Sequence, residues 1–187
     1  MKRIATTAAM VVAVAATGLI ASGDQGPRKF SEVLSGLKEA PAIVTTSGTG
    51  TFNATLNKDG SEIEYELTFN EMESNVTQAH IHIGYPQNSG AIVLWLCGSD
   101  ALPGPAGTPR CNVSNPLDNR NGSVSGTLTA ANVQVLAANG SPTWDEVVSL
   151  IRDGRTYANI HTVTIGAGEI RSQIDSHDGH SGPGGGH

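Results

Sequence analysis

The clearest periodicity in the chain is the two-residue alternation over 62–70, where Ile63, Tyr65, Leu67 and Phe69 fall on one side and Glu62, Glu64, Glu66 and Thr68 on the other. Successive side chains of an extended strand point to opposite faces, so this stretch reads as a half-buried antiparallel strand. The same reading predicts extended segments at 42–46, 50–57, 76–83, 91–97, 122–129, 157–164 and 168–174, separated by turns such as Ser47-Gly48, Lys58-Asp59-Gly60 and Ile165-Gly166-Ala167. One helix breaks the series. Thr143 follows Pro142 and caps Trp144-Asp145-Glu146, whose acids suit the positive end of a helix dipole, and Val147, Val148, Leu150 and Ile151 supply the apolar side up to Gly154. Residues 24–41 read as a charged leader, with a short helical or irregular piece over 30–37 that ends at Pro41. Seven to eight strands and one short helix predict an all-β fold, an antiparallel Greek-key β-sandwich or barrel.

Composition narrows this picture. The chain has 187 residues, of which 4% are aromatic, so the core has to rest mainly on Val, Ile, Leu and Ala. A net charge of −6 argues against a nucleic-acid binder. Lys2 and Arg3 precede an uncharged apolar run over 4–21, and residues 1–23 read as a secretory signal peptide cut after Ala21-Ser22-Gly23, with a retained anchor as the alternative. No later run is long enough to span a bilayer, so the processed chain is expected to be secreted or periplasmic, without a membrane span. In an oxidising compartment Cys97 and Cys111 are expected to form a disulfide around the turn-rich GSDALPGPAGTPR. Copper or redox chemistry at the thiols is the sharper alternative. The tail, 175–187, is low in complexity and is expected to be disordered, its His177, His180 and His187 able to capture divalent metal only weakly. Asn53, Asn75, Asn112 and Asn121 carry the N-x-S/T form of a glycosylation acceptor. No G-x-S-x-G elbow and no phosphate-binding glycine loop is present, and Gly48 and Gly50 read as bends or a bulge.

The blocks AHIHIG (79–84), LWLC (94–97), GTLT (126–129), YANIHT (157–162) and GEIRSQI (168–174) resemble, in content and order, the CHRD domain named after chordin. The resemblance covers 42–174 and implies an exported binding or structural module. The growth-factor role of animal chordin accompanies cysteine-rich modules, and a chain with two cysteines has none. Bacterial members of the family, which this chain looks like, are mostly single-domain.

Alternation puts His80 and His82 on one face with Gln78, while Ala79, Ile81 and Ile83 point into the core. The later strands place Asn159 and His161, and then Glu169, Arg171 and Gln173, on polar faces. On neighbouring strands His80, His82 and His161 would converge into a site for copper or zinc, with Asn159 or Glu169 fixing an imidazole tautomer. An H-x-H strand followed by a distant histidine is similar to the copper half of copper,zinc superoxide dismutases. No histidine lies between His82 and His161, so that family's bridging and zinc ligands have no counterparts here. The plainer reading is a hydrogen-bonded ladder of these histidines with Glu169 and Arg171, in which the latter two form a solvated salt bridge. Three functions follow. The chain is a binding or structural module with a three-histidine copper or zinc site, or a mononuclear copper enzyme of dismutase-like chemistry whose Arg171 attracts an anion. The third is a metal-free module that meets an extracellular or cell-surface partner.

Overall fold

The alternating segments close on one another in a computed structural model that describes residues 27–111, 118–136 and 140–175. The expected signal segment, all but the first residue of the tail with its three histidines, and Asn112 lie outside the described residues. The strands are β1 (Arg28–Ser35), β2 (Thr49–Leu56), β3 (Glu62–Asn70), β4 (Val76–Ile83), β5 (Ile92–Gly98), β6 (Gly122–Thr129), β7 (Thr156–Thr162) and β8 (Ile170–Ile174), with the helix α1 (Trp144–Arg152) before β7. They form one eight-stranded sheet in the order β5-β4-β7-β8-β1-β2-β3-β6. Every pairing is antiparallel.

The sheet curls into a nearly closed barrel. Its end strands, β5 and β6, approach each other, and the Tyr65 hydroxyl on β3 reaches the far edge to donate to the Leu96 carbonyl on β5 at 2.5 Å. Curling leaves few edge groups unpaired, which suits a chain rich in β-branched and small residues. The core is the set that alternation selects, with Phe52, Leu56, Ile63, Leu67, Phe69, Ile81 and Ile160 all buried. Glu64 and Glu66 face solvent, as the pattern requires.

Two local expectations are corrected. The piece expected to be helical or irregular over 30–37 is strand up to Ser35, part of β1, which turns Phe30, Glu32 and Leu34 inward, and only Gly36–Lys38 form a short 3-10 turn. The buried acid at Glu32 hides the alternation, and it is accommodated because Ser172 Oγ and the Asp175 N–H donate to its carboxylate at 3.2 and 3.0 Å. Gly50 is neither bend nor bulge, since β2 pairs in unbroken register on both sides. A side chain there would meet the Thr68 carbonyl oxygen at 2.6 Å. Residues 42–46 belong to no strand, although Val44 N–H donates to the Gly36 carbonyl at 2.9 Å.

Helix α1 follows its sequence signals closely. Glu146 N–H donates to Thr143 Oγ1 at 3.3 Å while Thr143 N–H donates to the Glu146 carboxylate at 2.7 Å, a reciprocal cap. Val147, Val148 and Ile151 are buried. Cys97 and Cys111 are joined in a disulfide with Cα atoms 4.8 Å apart. Among the described residues, no helix is long and apolar enough to cross a membrane.

Candidate metal centre

Strands β4 and β7 carry polar residues at alternate positions and lie side by side, and their register decides which residues meet. His82 is opposite Tyr157, His80 opposite Asn159, and Gln78 opposite His161. On the next strand Arg171 is opposite Asn159, and on the other flank His80 is opposite Trp95 of β5. One face of the β5-β4-β7-β8 half therefore gathers His80, His82, His161, Trp95, Tyr157, Asn159 and Arg171.

This face does not meet solvent, which corrects the expectation of an exposed polar ladder. His80 is 0% exposed, His82 and His161 are each 7% exposed, and Glu169 and Arg171 are buried. The turn after β4 folds back over the face, and Trp95 stands edge-on to His80 with ring centroids 4.3 Å apart. The solvated Glu169–Arg171 salt bridge is likewise replaced by separate partners. Glu169 accepts from Thr46 Oγ1, the Glu73 N–H and Thr162 Oγ1 at 2.7–2.8 Å. Arg171 donates to the carbonyls of Asn88 and Tyr85 at 3.0 and 2.8 Å, and its guanidinium lies 3.4 Å from the centroid of the Tyr157 ring.

The three imidazoles form a compact cluster, with one candidate ligand atom from each lying within 4.8 Å of the others. His82 Nδ1 donates to the Gly90 carbonyl at 2.9 Å and His161 Nδ1 to the Gly166 carbonyl at 3.0 Å. A carbonyl oxygen only accepts, so both rings carry their proton on Nδ1 and hold a lone pair on Nε2. The His161 Nε2 lone pair faces His80 Nδ1 at 3.2 Å, and the Nε2 atoms of His80 and His82 are buried with no partner. Burial, together with the neighbouring imidazoles, pushes His80 down to about 2. Burial pushes His82 down to about 4, against the opposing effect of its bond to Gly90, and lowers His161. All three are neutral near pH 7, the state a metal ligand requires.

The set fits a metal ion chemically. Buried nitrogen lone pairs without a partner are rare in folded proteins. The 3.2 Å between His80 Nδ1 and His161 Nε2 is close to the separation of about 3.3 Å that two nitrogens take when both bind one ion at about 2.0 Å in tetrahedral geometry.

Asn159, Glu169 and Arg171 make no bond to the three rings among the described residues. Asn159 Nδ2 donates instead to Glu39 at 2.7 Å. The holding groups are backbone carbonyls, which no side-chain pattern reveals. Gly90 serves twice, because its N–H also donates to the Tyr157 hydroxyl at 2.9 Å, and Tyr157 stacks on His82 with planes 3° apart. A side chain at Gly90 would lie 1.6 Å from the Ile83 carbonyl oxygen. Tyr157 shares the odd-numbered face with Asn159 and His161, so alternation alone would have found it; Glu39 and Trp95 offered no such signal.

The fold and cluster together define an all-β barrel domain with a buried histidine group. The chain belongs to the CHRD domain family, whose model matches residues 30–174. The match takes in most of β1 as well as the strands of the histidine face. No curated protein and no solved structure matches the chain.

Proposed function

We propose that this CHRD domain is an exported metal-binding module that holds one copper or zinc ion through His80, His82 and His161. The observation that carries the reading is the meeting of His80 Nδ1 and His161 Nε2 at 3.2 Å beside the buried, partnerless Nε2 of His82, in a pocket that keeps all three rings neutral. An ion bound there would act as a Lewis acid or, if copper, as a one-electron centre. The protein's part is to fix His82 and His161 by the Gly90 and Gly166 carbonyls and to wall the cluster with Trp95 and Tyr157. Export is supported by the residue pattern of 1–23 and by the disulfide, which suits an oxidising compartment.

The test is metal analysis of untagged protein reconstituted with copper and with zinc, beside His80→Ala and His82→Ala with the tail histidines intact. One equivalent of metal in the parent protein above the level of both variants is expected. Equal metal content in all three proteins overturns the reading and leaves the metal-free interaction module.

A further inference from the structure

We infer that the three-histidine site selects monovalent copper over divalent zinc, and that Arg171 sets this preference. The inference rests on the metal reading and adds the charge of the ion.

The ligands are neutral, and so is everything that grips them. His82 and His161 are held by the peptide carbonyls of Gly90 and Gly166. A carboxylate behind the imidazole, the common arrangement at divalent sites, would add negative charge and make the nitrogen a stronger base. Here the nearby carboxylates are engaged elsewhere. Glu169 is tied to Thr46, Thr162 and the Glu73 N–H, and Glu39 is bonded to Asn159.

The fixed charge that does face the cluster is positive. From β8 the Arg171 guanidinium lies over the Tyr157 ring at 3.4 Å, and from β4 the His82 ring stacks on the same tyrosine with centroids 4.8 Å apart. Cation, phenol and ligand thus form a stack across three adjacent strands. Arg171 is 1% exposed and pinned by two carbonyls, so it cannot swing away when an ion enters.

Two consequences favour the smaller charge. The penalty for moving an ion out of water scales with the square of its charge, so a dication bears about four times that of a monocation at this buried site. Arg171 then repels the second unit of charge. At roughly 9 Å and an effective dielectric of about 20, that repulsion amounts to about twentyfold in affinity. Coordination number points the same way, since zinc normally completes a set of four ligands, whereas copper(I), a soft ion, is satisfied by three.

The test uses full-length, untagged, metal-free protein at pH 7.5, with His80→Ala as the baseline for the tail. Copper(I) affinity is measured without oxygen against bicinchoninate, and zinc affinity against a chromophoric chelator, for the parent protein and for Arg171→Gln and Arg171→Met. Parent protein is expected to bind copper(I) more tightly than zinc, and the copper-to-zinc affinity ratio to fall by about twentyfold in either variant. A merely structural role for Arg171 would weaken both ions together and leave the ratio unchanged. Zinc binding as tight as copper(I) in the parent protein overturns the inference whether or not the variants fold, and an unchanged ratio in a folded variant overturns the role of Arg171. Both results leave the metal reading standing. Absence of either ion above the His80→Ala baseline removes that reading and the inference with it.

Discussion

Acidification from pH 7 to pH 5 should destabilise the metal-free protein, and the size of the effect follows from groups already described. The unfolded chain takes up a proton at each histidine near pH 6.5, whereas the folded protein holds His80 down to about 2 and His82 to about 4, chiefly because burial excludes the charged form. The folded state therefore binds fewer protons, so stability is fully present above pH 6.5 and is lost as pH falls below it. Down to pH 5 the loss is about 2 kcal/mol for each of the two histidines, and His161 adds to it in the same direction. Glu39 opposes this trend. Burial, against the pull of Arg171, raises its carboxyl to about 7, so between pH 7 and 5 the folded state gains a proton before the unfolded one does. That stabilises the acid-side protein by about 2 kcal/mol. The net loss from these three groups is about 2 kcal/mol in the parent protein and about 4 in Glu39→Gln, where the opposing group is gone. Urea unfolding in chelator-treated buffer at half-unit pH steps measures both. A parent protein equally or more stable at pH 5 than at pH 7, or a Glu39→Gln profile with the parent's slope, would refute the reasoning.

Gly90→Ala pushes a methyl group into the Ile83 carbonyl and parts the turn from both His82 and Tyr157, so we expect a loss of about 2–3 kcal/mol in urea unfolding. Nitrogen-15 NMR of the imidazoles should then show His82 no longer held in a single tautomer; a single unchanged tautomer would show that Gly90 does not fix the ring. Replacing both Cys97 and Cys111 by serine opens a link across a sequence separation of 14 and should lower stability by about 3 kcal/mol, read from denaturant midpoints under non-reducing conditions. Thr143→Ala removes the reciprocal cap of α1 and should lower stability by about 1 kcal/mol, measured by calorimetry.

The strands were legible where one face is wet. Over β3 the exposed Glu64 and Glu66 mark the period against Ile63, Tyr65 and Leu67, and the bounds read from the pattern are those of the strand. Strand β1 was hidden because Glu32 occupies an inward position, and an inward acid looks like a leader's charge until its partners Ser172 and Asp175 are seen 140 and 143 residues away. The histidine face was half legible. Alternation placed His80, His82 and His161 together, but it could not distinguish a polar face in water from one roofed by turns. Burial decides the chemistry here, because solvated rings would titrate near neutrality and a solvated Glu169 and Arg171 would have had each other within reach. What fixes the rings is peptide backbone at Gly90 and Gly166, and backbone carries no residue-specific signature.

The pairing of β1 with β8 has a consequence for when the protein can work. The first and last described strands are neighbours, joined through Ser35 and Arg171, and β1 is the link between the β5-β4-β7-β8 half and the β2-β3-β6 half. Two of the histidines sit on β4 and the third, 81 positions after His80, on β7. A ribosome has made most of the domain before the third ring exists, and Gly166 and Arg171 come later still. Such distant pairings form slowly. The cluster is therefore assembled only after synthesis of the domain is nearly finished, so any ion it were to bind would come from the compartment in which the finished chain folds.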